Sequence, residues 1–136
     1  MLKWSDEFWI DEGPMDEIHV EFVDCLNALG AARDAAALPA LDAFLAHTER
    51  HFAEEEAWME ACAFPRVYCH TTQHASVLQV AREVRVRIAA GETTLAPLLA
   101  AAVAAWFRDH AATMDTMLAN HMAEQGYSPH AEAALI

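Results

Sequence analysis

His51 and Glu55 stand four residues apart, and so do His70 and His74. On an α-helix that spacing puts both members of a pair on one face, about one turn apart. Both pairs lie in segments whose apolar residues also recur at helical spacing. Imidazole and carboxylate groups fixed this way have the chemistry of a carboxylate-bridged metal site inside a helical bundle. The chain holds eight histidines, so three of them fall in these two pairs.

The helical periodicity divides the 136 residues into four stretches, 15–32, 39–61, 66–90 and 94–120. Gly13-Pro14, Pro39, Phe64-Pro65 and Gly91 punctuate them, and Pro39 suits a first turn, where its missing N–H costs nothing. Few glycines and prolines, four and five, with 55% hydrophobic residues favour helices over a turn-rich β fold. Short connections between helices of this length predict an all-α, antiparallel, up-down-up-down four-helix bundle. A single domain over 1–136 is expected, with a non-helical N-terminal arm at 1–13 (Trp4, Phe8, Trp9) and a tail at 122–136.

Charge and cysteine content narrow the setting. A net charge of -13 argues against nucleic-acid binding and against an anionic membrane surface. The longest apolar run, Leu95 to Phe107, is too short for a membrane span and contains Pro97. No signal-like leader opens the sequence, and Cys25, Cys62 and Cys69 have no CxxC spacing, so a reducing cytoplasm is expected. Cys25 reads as core packing, while Cys62 and Cys69 flank the turn at Pro65.

Antiparallel packing tests the proposed site. His19 lies early in the first helix, His51 late in the second, His70 and His74 early in the third, and His110 and Asp115 late in the fourth. All of these then fall near one end of the bundle. Five histidines and two carboxylates are too many for one tetrahedral zinc. They fit two octahedral ions if Glu55 and Asp115 both bridge, a hydroxide or oxide adds a third bridge, and one position stays open. Periodicity does not select Asp115: five residues after His110 is roughly 140° around a regular helix.

The pattern resembles the hemerythrin family in its bacterial single-domain form. The matching residues are Asp16-Glu17-Ile18-His19, His51-Phe52-x-x-Glu55-Glu56-x-x-Met59, Phe64-Pro65, His70-x-x-x-His74 and Trp106-x-x-x-His110-x-x-x-x-Asp115. The resemblance implies two non-haem iron ions, joined by an oxide or hydroxide, that bind O2 reversibly. It implies that His70, His74 and His110 hold one iron, that His19 and His51 hold the open one, and that Glu55 and Asp115 bridge. Phe22, His47, Trp106 and Phe107 are expected around the metals. His47 stands where the family commonly has Tyr, Phe107 where a smaller aliphatic residue is usual, and Ile18 where Gln often precedes the first ligand. Glu54 and Glu56 read as a solvated face, and His121 and His130 as tail or cap.

The leading functional reading is an O2 carrier, store or sensor, a sensor needing a separate partner protein. The alternative is a di-iron oxidase, peroxidase or nitric-oxide-handling enzyme, with His47 as a proton source. A plain structural bundle with incidental histidines is the third class, and metal analysis separates it from both.

Overall fold

The computed structural model describes residue 10 and residues 13–129. Helix α1 spans Pro14–Ala31, α2 Ala37–Ala61, α3 Val67–Ala89 and α4 Leu95–His110. A π turn, Ala111–Asp115, then carries α4 into α5, Thr116–Glu124, with helical backbone angles at both junctions. Pro14 opens α1 in the first turn, as a residue without an N–H should. A short 3-10 turn, Asp34–Ala36, joins α1 to α2.

Each helix packs on the next in sequence, and α4 returns to α1, which closes the four-helix bundle. There is no strand among the described residues. No helix there is long and apolar enough to cross a membrane. The expected aromatic arm (Trp4, Phe8, Trp9) and His130 lie outside the described residues. Ile10 is described; its N–H donates to Asp16 Oδ1 at 2.9 Å, and its side chain packs against the core.

The fourth rod runs four residues past its expected end at Asn120, so the stretch expected as tail begins as helix. Met122 is buried there. His121 caps, as expected: its Nε2 donates to the Cys62 carbonyl at the end of α2, 2.7 Å away. The three cysteines are free, with Cys62 buried and Cys69 exposed.

Three helices end alike. After α2, the N–H of Phe64 reaches Met59 O at 2.9 Å; after α3, Glu92 reaches Arg87 O at 3.0 Å; after α5, Tyr127 reaches Met122 O at 2.9 Å. Each end needs one left-handed residue to reverse the chain. Gly91 and Gly126 supply it at φ 110° and 67°, but after α2 the residue is Ala63, at φ 54°.

The core comes in two parts. A larger apolar cluster, around Phe22, Leu26, Leu41, Phe44, Leu99 and Phe107, fills one end. A smaller one, around Met15, Ile18, Trp58, Met59, Leu118 and Met122, fills the other. Between them lies a layer of buried histidines and carboxylates drawn from α1, α2, α3, α4 and the π turn.

An alanine at φ 54° carries strain that glycine does not. Ala63→Gly should therefore raise stability by about 0.5–1 kcal/mol, after the extra unfolded-state entropy of glycine is subtracted. Thermal unfolding of the metal-free protein measures this, and an unchanged or lower melting temperature counts against the strain.

Candidate metal centre

All seven residues expected as ligands converge in the polar layer, each at most 2% exposed. His51 and Glu55 come from one face of α2, and His70 and His74 from one face of α3. His19 comes from α1 and His110 from the end of α4. The π turn brings in the seventh. The Thr116 N–H bonds to Ala111 O, five residues back, and its Oγ1 bonds the same carbonyl at 2.8 Å. This widened turn absorbs one extra residue, so Asp115 faces the layer beside His110 instead of lying 140° away. His110 Nε2 is 3.1 Å from Asp115 Oδ1.

The two carboxylates divide the histidines between their oxygens. Glu55 Oε1 lies 3.2 Å from His70 Nε2 and 3.1 Å from His74 Nε2. Its Oε2 lies 2.6 Å from His51 Nε2 and 3.5 Å from His19 Nε2. Asp115 Oδ1 lies 3.0 Å from His70 Nε2, and Oδ2 lies 3.0 Å from His19 Nε2. Two overlapping donor sets result, Glu55-His70-His74-His110-Asp115 and His19-His51-Glu55, each with its donor atoms within 4.8 Å of one another.

The donors fit a pair of cations. His19 Nε2, His74 Nε2, His110 Nε2 and Asp115 Oδ1 are buried without a hydrogen-bond partner, although each lies close to other polar atoms of the layer. Donor atoms that converge without a hydrogen bond between them can take a positive ion once their protons leave. Imidazole and carboxylate are the donors that first-row transition metals take.

Electrostatics points the same way. Burial raises both carboxyl groups, but the neighbouring histidines outweigh it. His51, His19 and His70 hold Glu55 well below the usual carboxylate range. Asp115 is raised by burial and by the charge of Glu55, yet His110 and His19 bring it below its ordinary value. Burial would lower His19 and His70, but contact with Asp115 and Glu55 raises them to about 10 and about 9. His110 moves down because burial prevails over its carboxylate neighbours. Without metal, protons on imidazoles balance the buried charge of Glu55 and Asp115.

The two halves of the layer have different surroundings. On the three-histidine side, Trp106 stacks on His110 at 4.3 Å and Phe52 stacks on His74 at 3.8 Å. His110 Nδ1 donates to Gln73 Oε1 at 2.7 Å, which fixes the ring and leaves Nε2 free toward Asp115. On the two-histidine side, Phe22 meets His51 edge-on at 5.4 Å and Phe107 meets His19 edge-on at 5.0 Å. Phe22, Phe107 and Trp106 thus all touch ligand-type histidines, Trp106 on the three-histidine side and only half-buried.

Sequence reasoning missed Gln73, and it quoted Phe52 only as part of a motif, without its stacking on His74. Gln73 directly precedes His74, but its partner is 37 residues away, so only the packing of α3 on α4 reveals the pair. Glu56 is exposed, as expected of a solvated face, and its Oε2 also lies 3.6 Å from His74 Nδ1. His47 is buried on the far side of His51 from Glu55, with ring centroids 5.5 Å apart. Burial, with the nearby His51 and Arg50, lowers it to about 4, so it is neutral at neutral pH.

A helical bundle with a buried cluster of five imidazoles and two shared carboxylates defines a cation-binding protein of the helical-bundle class. The family model for the hemerythrin HHE cation binding domain matches residues 14–121, which include all seven. The chain belongs to the hemerythrin family. It is 42% identical over 134 residues to a bacteriohemerythrin of Ralstonia nicotianae, covering 98% of each chain. It is 31% identical over 96 residues to a bacteriohemerythrin of Stenotrophomonas maltophilia, covering 68% of this chain and 63% of that one.

Two outcomes follow from this geometry. Divalent metal added to metal-free protein at pH 7 should release protons, because His19 and His70 hold them below about 10 and about 9. Apparent affinity should therefore rise as pH rises toward those values. A pH-indicator dye in weak buffer measures the release, and uptake without it contradicts the charge balance. Gln73→Leu should weaken metal binding about 10–100-fold by freeing the His110 ring, as competition with a chelator would read.

Proposed function

We propose that this protein binds O2 reversibly at a di-iron centre. His70, His74 and His110 would hold one iron, and His19 and His51 the other. Glu55 and Asp115 would bridge, together with an oxide or hydroxide. The observation that carries this reading is the division of oxygens: each carboxylate presents one oxygen to the three-histidine side and the other to the two-histidine side. Three histidines against two would leave the His19-His51 side with fewer protein donors, and so with room for O2.

A reduced iron pair held by these residues would supply the electrons for reversible O2 binding. The protein's own residues keep that exchange reversible. Phe22 and Phe107 pack against each other at 4.8 Å beside His51 and His19, and exclude water from the open side. Low polarity there disfavours charge separation and loss of reduced oxygen species. An oxidase or peroxidase at this site calls for a proton donor on the open side, and a neutral His47 is a poor one. The same O2 chemistry serves a carrier, a store or a sensor.

Anaerobically reduced, iron-loaded protein exposed to O2 should gain a visible charge-transfer band that disappears on deoxygenation, over repeated cycles. Irreversible oxidation on first exposure, or a protein purified with zinc alone, overturns the proposal. Glu55→Ala should lose the metals, and Glu54→Ala, whose side chain is exposed, should retain them. Equal loss from both substitutions removes the bridging role.

A further inference from the structure

Among the described residues, the seven-residue cluster leaves one buried imidazole unused. His47 is 4% exposed, and its Nε2 has no hydrogen-bond partner. It lies one turn before His51, which lies one turn before Glu55, so donor side chains form a ladder along one face of α2. The His47 and His51 rings are 5.5 Å apart, and His51 Nε2 is 2.6 Å from Glu55 Oε2. The outer end of the ladder opens to solvent. His47 lines a shallow pocket of about 400 Å³ between α1 and α2, together with Glu21, Asp24, Cys25 and Arg50. Glu21 Oε2 lies 3.8 Å from His47 Nδ1.

A metal ion needs such a route. The ligands are at most 2% exposed, and an unpaired divalent cation crossing an apolar core faces a prohibitive loss of hydration. Successive donors, each within reach of the next, replace that hydration stepwise. Two carboxylates against one guanidinium also make the pocket attract cations. The larger groove, about 580 Å³ between α1 and α4, has the opposite character. Alanines, Pro97 and two cations, Arg33 and Arg108, line it, and none of the seven cluster residues does.

We propose that divalent metal ions load the centre through the α1–α2 pocket. Glu21 and Asp24 collect the ion at the rim, and His47 passes it to His51 and Glu55. The proposal rests on the two-metal reading above, and metal content at the end of loading tests that reading separately from the rate.

Metal-free protein is mixed with Co2+ in a stopped-flow instrument, and the absorbance change is followed to completion. The wild-type chain should fill to two ions, at a rate that falls as ionic strength rises. His47→Phe, which keeps the ring and removes its nitrogens, should load about tenfold more slowly to the same final content. Glu21→Gln with Asp24→Asn should also load about tenfold more slowly and lose most of the salt dependence. Glu83→Gln with Glu124→Gln removes the same charge from exposed positions outside the pocket and should load at the wild-type rate. Far-UV circular dichroism of each metal-free variant separates slow loading from misfolding, and the surface double variant stands if His47→Phe does not fold. Rates within twofold of wild type in both pocket variants overturn the port. So does a lower final content in His47→Phe, which makes His47 a resident ligand. A wild-type chain that never exceeds one ion overturns the two-metal reading instead.

Discussion

Two carboxylates at the centre of the core, Glu55 and Asp115, are the constraint around which this bundle is organised. Each is at most 1% exposed. An unbalanced buried carboxylate costs several kcal/mol, and two of them near each other cost more. The fold answers with five imidazoles aimed at four oxygens. Protonated His19 and His70 balance the charge in the metal-free chain, and cations held by the same donors would balance it otherwise. A helical bundle suits this task because side chains from four rods can meet in one layer.

That layer separates the apolar core into two clusters. The larger, with Phe22 and Phe107, forms an apolar wall on the two-histidine side. On the other side, ring stacking by Phe52 and Trp106 and the bond from His110 to Gln73 hold imidazoles in place. Asymmetry in ligand number thus coincides with asymmetry in surroundings. The side with fewer histidines faces phenyl rings, and the side with more is fixed by stacking and hydrogen bonding.

Much of this was legible in the sequence because helical period carries it. His51 with Glu55, and His70 with His74, announce their shared faces at a spacing of four. Antiparallel order then places His19 and His110 at the same level. Asp115 was not legible from period, since a regular helix turns it away from His110. The π turn at Ala111–Asp115 corrects its direction, and its sequence, AATMD, carries no proline or glycine to mark it. Gln73 escaped because its role depends on a partner from another helix. Ala63 escaped because a left-handed alanine breaks the expectation of glycine at a helix end. His47 was legible as an unusual residue, but its place on the floor of a surface pocket required the packing of α1 on α2.

Anomalous diffraction at the iron absorption edge, from crystals of the iron-loaded protein, tests the shared-carboxylate centre most directly. Two peaks are expected inside the bundle, one beside His70, His74 and His110 and the other beside His19 and His51, with Glu55 and Asp115 between them. A single peak, or iron bound outside this layer, contradicts it.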